Sequence, residues 1–333
     1  MSSRIAYPTI TSSVLAGNPA GDPEVRTLPI YLPPSYDAEP ERRYPVVWML
    51  TGFTGRGQML LNDNLWTPTI QQQIDTLIAH GMTEIIMALP DCTTRYGGSQ
   101  YINSAATGQY EDYLIDELVP FVDVHYRTLP GSQHRAVLGK SSGGYGAMIH
   151  GMKHPDVFSA IACHSGDMAF DLCYRPDFPK LSSRLAANQY DPQAFFEEFL
   201  AKPKKSGADG AALNILAMAA CYSPNPAATG LPIDFPIDLY TCELRPTVWA
   251  RWLEHDPVEL VPNYAANLKQ LKLLFIDCGT RDEFNLQYGA RILVERLKRW
   301  DVSYEHQEFD DDHRSISYRY DVSLPRLVQQ IAG

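Results

Sequence analysis

The segment 136–147, Ala-Val-Leu-Gly-Lys-Ser-Ser-Gly-Gly-Tyr-Gly-Ala, restricts the possible folds more than any other part of the chain. An apolar run, a glycine-rich turn and helix-like residues predict a buried strand, a sharp turn and a helix. The turn fits the pattern Gly-x-Ser-x-Gly, because Gly139 and Gly143 stand two positions before and after Ser141. Ser142 lacks the first glycine, since Lys140 stands there. The context favours Ser141 as a nucleophile at a helix N-terminus over a glycine-rich turn with incidental serines.

Strand-like and helix-like segments alternate along most of the chain. Apolar runs predict strands, and helical periodicity predicts the segments between them. This alternation predicts an α/β fold, a mostly parallel sheet with helices on both faces, in one domain over 1–333. Segment 168–262 breaks the alternation and predicts a cap or insertion. Residues 1–25 predict an irregular arm on the surface. The predicted strands are 26–32, 44–50, 84–89, 136–140, 157–163, 271–277 and 302–309.

Composition and charge exclude several classes of function. The 333 residues carry a formal net charge of −11, which argues against nucleic acid or an anionic membrane as a partner. No apolar run is long enough to span a bilayer, and no export signal is visible. The six cysteines are dispersed, which predicts reduced thiols and a cytoplasmic location. No His/Cys cluster has metal-ligand spacing, so we expect no metal and no cofactor. The sequence is compatible with a homo-oligomer.

A serine nucleophile requires a base and an acid that orients the base. The base is expected after the last strand, where His313 stands, whereas His306 lies inside that strand. The acid is expected in the loop after the preceding strand, which favours Asp282. Asp277 is still inside the apolar run, and Glu283 is a neighbour that could substitute. A helix N-cap is the alternative role for Asp282.

An oxyanion hole requires two N–H donors, and the backbone of Phe53 and Ser142 could supply them. Phe53 follows a predicted central strand in a glycine-rich loop. Four further side chains are candidate substrate contacts: Tyr101 and Asn103 in a long polar loop, and Trp249 and Trp252 in the 168–262 segment. Packing of the insertion onto the core is the alternative role for the tryptophans.

Segments 45–55, 101–104, 139–147, 277–282 and 312–313 together resemble the esterase D family, over roughly 26–165 and 262–331. That family includes S-formylglutathione hydrolases, feruloyl esterases, enterochelin-type esterases and mycolyl transferases. The resemblance implies an α/β-hydrolase fold with Ser141 as nucleophile, His313 as base and Asp282 as orienting acid. The chain departs from the family in having Thr51-Gly52 where His-Gly or Ser-Gly is commoner. It also has Gly55 where formylglutathione hydrolases usually carry Cys, and a longer 168–262 segment.

These observations predict a serine carboxylesterase that acts on short-chain or aryl esters through an acyl-enzyme, with a small-molecule ester as its partner. A feruloyl or thioester hydrolase and an acyl transferase of the same fold are the alternatives. A catalytically silent binding protein is the non-enzyme alternative, although silent members usually lack one of the three residues that are present here.

Overall fold

A computed structural model of the chain describes residues 2–333. Its strands, in chain order, are β1 (Arg4–Ala6), β2 (Thr9–Thr11), β3 (Val25–Thr27), β4 (Ile30–Leu32), β5 (Val46–Leu50), β6 (Ile86–Ala88), β7 (Asn103–Ser104), β8 (Gly108–Gln109), β9 (Arg135–Lys140), β10 (Ala160–His164), β11 (Leu273–Gly279) and β12 (Glu305–Phe309). Eight of them form one sheet in the order β1-β4-β6-β5-β9-β10-β11-β12. The strands from β6 to β12 in that order run parallel, and β4 and β1 are antiparallel additions at one edge. The predicted, mostly parallel sheet is confirmed.

The helices lie between these strands and on both faces of the sheet. They are α1 (Ile70–Ala79), α2 (Tyr110–Asp112), α3 (Val119–His125), α4 (Ser142–Lys153), α5 (Phe170–Cys173), α6 (Phe178–Leu185), α7 (Pro192–Ala201), α8 (Gly207–Tyr222), α9 (Pro246–Leu253), α10 (Pro257–Leu268), α11 (Leu286–Arg299) and α12 (Tyr320–Ile331). A π-helical segment, Tyr113–Leu118, joins α2 to α3.

Strand β5 shows why its sequence is a continuous apolar run. Trp48 and Leu50 belong to the core on one face of the sheet, together with residues of α4, α10 and α11. Val47 and Met49 belong to the core on the other face, together with residues of α1 and α12. Because both faces are covered, every position of the strand is buried and apolar.

The N-terminal residues differ from the sequence-based expectation, since the prediction of an irregular arm over 1–25 is wrong. Strand β1 adds to the sheet edge by antiparallel pairing with β4, with Ile5 opposite Tyr31. Strand β2 pairs with β3. The predicted strand 26–32 is divided at Pro29 into β3 and β4, which belong to different sheets. Three-residue strands are too short to show periodicity, so their pairing depends on partners distant in sequence.

Segment 168–262 contains α5 to α9 and the first half of α10. Helices α6 and α8 pack against each other, and α8 also contacts β7. Helix α10 instead packs on α4 and α11, beside the sheet. The strands β5, β9, β10, β11 and β12 are parallel, so the loops that follow them meet at one edge of the sheet.

Candidate active site

Ser141 lies at a strained turn between β9 and α4. Its φ of 58° and ψ of −126° are rarely adopted by a residue with a side chain, and its N–H donates to His164 O at 2.9 Å. A Cβ on Gly139 would lie 2.3 Å from Gly143 O, and one on Gly143 would lie 2.2 Å from Leu50 O. The turn therefore requires both glycines, and it holds Ser141 at the start of a helix.

His313 and Asp282 come together from the loops after β12 and β11. His313 Nδ1 lies 2.7 Å from Asp282 Oδ2, and the two residues are 7% and 3% exposed. The other carboxylate oxygen, Oδ1, accepts from the Phe284 N–H at 2.9 Å. The close approach of the two loops depends on Gly279, where a Cβ would lie 2.4 Å from Asp311 O. An ionised carboxylate only accepts hydrogen bonds, so this contact places the proton on Nδ1 and leaves Nε2 as the basic nitrogen.

The structure separates Asp282 and His313 from the alternatives. Asp277 binds His164 at 2.6 Å and Arg319 at 2.9 Å in a buried network. Glu283 accepts from the His313 backbone N–H at 3.0 Å, not from its ring. His306 lies within β12, and its Nε2 is buried without a partner in the described chain.

Ser141 and His313 line one cavity of about 650 Å³. Phe53 and Ser142 line it as well, and neither of their N–H groups has an acceptor among residues 2–333. Ser141 Oγ and the His313 ring form no hydrogen bond in the described structure. In structures without substrate, hydrogen bonds between a nucleophile and its base are often long or poorly aligned. The cavity thus combines a serine, an oriented imidazole and two free N–H donors.

The four tentative substrate contacts do not line this cavity. Tyr101 is buried, and its hydroxyl donates to Thr51 O at 2.7 Å, which braces the loop that carries Phe53. Asn103 donates to the Asp112 side chain of α2 at 2.6 Å. Trp249 and Trp252 are buried in the core. These four residues are therefore not part of the proposed substrate site.

Sequence reasoning missed Asp167, which also lines the cavity. Its Oδ2 accepts from Ser142 Oγ at 3.2 Å, Gln100 Nε2 at 3.0 Å and the Tyr174 hydroxyl at 2.9 Å. Burial raises the pKa of Asp167, although these hydrogen bonds oppose the rise. The available signal was its position, because Asp167 follows β10 at the same sheet edge as the other loops.

Four cationic residues line the cavity, in contrast to the acidic chain as a whole. Lys180 binds Asp177 at 2.6 Å, and Arg314 binds Glu283 at 2.9 Å. Burial lowers the pKa of Lys140, which is partly offset by nearby carboxylates. The charged residues of the lining are therefore predominantly basic, and its cations are Lys140, Lys180, Lys205 and Arg314.

A comparison with protein families matches residues 23–322 to the family described as "Putative esterase". The chain belongs to this esterase family. The resemblance found in the sequence is thus confirmed. A curated relative, an endo-1,4-beta-xylanase/feruloyl esterase of Xylanibacter ruminicola, is 28% identical over 151 residues. That match covers 43% of this chain but only 20% of the relative.

Solved structures of esterases share the fold. A ferulic acid esterase superposes with a TM-score of 0.63 at 20% identity, covering 99% of both chains. An S-formylglutathione hydrolase from Agrobacterium tumefaciens gives 0.61 at 18% identity, covering 99% of this chain and 96% of the other. The α/β-hydrolase fold is therefore confirmed.

Residues 2–333 show neither a metal-binding cluster nor a membrane-spanning helix. Within that range, no three or more His, Cys, Asp or Glu side chains are grouped so that they could hold a metal ion. None of the described helices has both the length and the apolar character needed to cross a bilayer.

Proposed function

We propose that the protein is a serine esterase with Ser141 as nucleophile, His313 as general base and Asp282 as the acid that orients His313. The observation that carries this proposal is the 2.7 Å contact between Asp282 and His313 beside a cavity that also holds the strained Ser141. Membership of the esterase family supports the same conclusion. The complete set of residues argues against the catalytically silent alternative.

In the proposed mechanism, His313 Nε2 takes the proton of Ser141 Oγ as Oγ attacks the ester carbonyl carbon. Asp282 holds the ring in the required tautomer and stabilises the imidazolium that forms. The N–H groups of Phe53 and Ser142 bind the oxyanion of the tetrahedral intermediate. His313 then protonates the leaving alcohol, and a water molecule activated by His313 hydrolyses the acyl-enzyme. These steps need no cofactor.

The shape of the cavity supports short-chain or aryl carboxylic esters as substrates. Its wall opposite the sheet comes from 168–262, with Phe199 and Leu213 as apolar lining residues and Phe284 beside His313. We propose that this helical segment is a cap on a single domain. A volume of about 650 Å³ is in the range of small-molecule sites. Feruloyl esters and the thioester S-formylglutathione are reasonable test substrates because a curated relative and a structural neighbour carry those names. The cytoplasmic location and the oligomeric state stay predictions.

The decisive experiment combines turnover with covalent labelling. Nitrophenyl esters from acetyl to decanoyl, a feruloyl ester and a thioester are assayed with the purified protein. We expect the highest kcat/KM for a short acyl or an aryl ester. A sulfonyl fluoride should inactivate the enzyme and modify Ser141, as located by peptide mass spectrometry. Modification of a different residue, or inactivation without loss of the Ser141 peptide, would contradict the assignment.

A further inference from the structure

The carboxylate of Asp167 is the least expected group in the cavity. It is 8% exposed, and in residues 2–333 no Lys, Arg or His side chain forms an ion pair with it. Buried aspartates are rare without such a partner, because removing a carboxylate from water is costly. Its place is also close to the proposed chemistry, since Ser142, which follows the nucleophile, donates to it.

The two oxygens of Asp167 have different surroundings. Oδ2 accepts hydrogen bonds from the side chains of Ser142, Gln100 and Tyr174, which fix the carboxylate in position. Oδ1 has no protein partner in the described chain and is not fully buried. Asp167 lines the cavity, and Oδ1 is the oxygen left without a donor.

We propose that Asp167 is a specificity-determining residue whose Oδ1 accepts a hydrogen bond from a hydroxyl group of the substrate. The substrate class is accordingly an ester that carries a hydroxyl group on its alcohol or acyl part. An apolar group at this place would leave the carboxylate oxygen without a donor, which is unfavourable. A cationic group is disfavoured because Lys140, Lys180, Lys205 and Arg314 line the same cavity. This inference rests on the proposed function.

The test uses two pairs of esters that differ only in hydroxyl groups. Glyceryl monobutyrate against propyl butyrate examines the alcohol part, and nitrophenyl β-hydroxybutyrate against nitrophenyl butyrate examines the acyl part. A site built to hydrogen-bond a hydroxyl discriminates against the analogue without it, so we expect at least about a tenfold higher kcat/KM for the hydroxylated member of one pair. Equal kcat/KM values in both pairs would overturn the inference.

Asp167→Asn provides the matching variant, because its amide oxygen can replace Oδ2 as acceptor for the three donors. We expect the hydroxyl preference to fall about fivefold to tenfold, since the amide NH2 then replaces Oδ1 and cannot accept from the hydroxyl, which is left with a weaker bond from a neutral donor. Asp177→Asn is the control, as Asp177 lines the same cavity but is paired with Lys180. It should leave the preference unchanged. If Asp167→Asn reduces both members of a pair equally, the residue has only a structural role and the inference is wrong.

A binding measurement separates this inference from the proposed function. The dissociation constants of the two butyrate esters are measured with Ser141→Ala, with and without Asp167→Asn. Tighter binding of glyceryl monobutyrate that depends on Asp167 would support the inference even if the wild type hydrolysed neither ester. In that case the proposed function fails and the inference stands. Equal binding of the two esters by Ser141→Ala, combined with no hydroxyl preference in the acyl pair, would overturn the inference alone.

Discussion

Two sets of serine, histidine and aspartate side chains lie close together in the part of the chain that the structure describes, and one of the two opens to a cavity. The cavity trio is Ser141, His313 and Asp282. The buried trio is Ser323, His164 and Asp277, near the carboxyl ends of β10 and β11 and under α12. His164 Nε2 lies 2.8 Å from Ser323 Oγ, and His164 Nδ1 lies 2.6 Å from Asp277 Oδ1.

The two sets differ in what surrounds them. All three residues of the buried trio are 0% exposed, and Arg319 also binds Asp277, at 2.9 Å. Ser141 instead lies at a strained turn, beside the free N–H groups of Phe53 and Ser142. By hydrogen-bond geometry alone, the buried trio is the more complete of the two. A candidate nucleophile is therefore marked less by the three residue types than by access for a substrate and by donors for an oxyanion.

The largest expected difference between the trios is in turnover. Ser141→Ala should lower kcat by about 10⁴-fold to 10⁶-fold, because the nucleophile is lost while binding and oxyanion donors remain. Ser323→Ala should leave kcat within about a factor of three, since no substrate reaches that residue. Steady-state hydrolysis of nitrophenyl butyrate measures both, with circular dichroism to confirm folding. Comparable losses in the two variants would break the distinction.

Asp282→Asn should have the next largest effect, a loss of about 10⁴-fold in kcat, because an amide favours the wrong tautomer of His313. Combining it with Ser141→Ala should add little further loss, as the residues act as a unit. Single and double variants are compared in the same assay. Losses that multiply in the double variant would show that Asp282 and Ser141 act independently.

Asp277→Ala should affect stability more than any single change to the cavity trio. It leaves Arg319 and His164 without their buried acceptor, and removing one partner of a buried ion pair costs about 3–5 kcal/mol. Urea denaturation gives the free energy of unfolding, with Asp282→Asn as the matched control, where the carboxamide still fills the site. A loss below about 1 kcal/mol for Asp277→Ala would mean that the buried trio does not stabilise the fold.

A third histidine, His150, makes the stability of the fold depend on pH. His150 is fully buried with both ring nitrogens unpaired in the described chain, and burial lowers its pKa to about 3. The folded state therefore binds fewer protons than the unfolded state as pH falls from about 6.5 towards 3, so stability declines over that range.

The decline from one such group is at most about 1.4 kcal/mol per pH unit. His150→Leu should reduce the slope of unfolding free energy between pH 7 and pH 5, measured by urea denaturation. The slope will not vanish, because burial also lowers the pKa of His255, to about 4. An unchanged slope in His150→Leu would show that His150 takes up a proton without cost in the folded state.

Local sequence rules were sufficient to predict those features that depend on neighbours along the chain. The strained turn at Ser141 is such a case, since steric contacts at Gly139 and Gly143 allow no side chains. The order of strands likewise led to His313 and Asp282, which the structure brings into contact. The fold class and the meeting of these loops were therefore predictable, because parallel strands bring their following loops to one edge of the sheet.

Other features depended on contacts between distant segments. Trp249 and Trp252 are large apolar residues of the type expected in a substrate pocket, but they pack in the core. Strand β1 was not predicted, because it is defined by its pairing with β4, which is distant in sequence. Asp167 is a candidate only because the fold brings three side chains, Gln100, Ser142 and Tyr174, to donate hydrogen bonds to one of its oxygens.

The sequence by itself determined the α/β-hydrolase architecture and singled out Ser141, Asp282 and His313 as candidates, because turn sterics and strand order act locally. Only the tertiary structure decided that His164, Asp277 and Ser323 are enclosed while a similar set opens to a cavity. Residue type fixes what a side chain can donate or accept. Whether it meets a substrate or another side chain depends on how the whole chain packs.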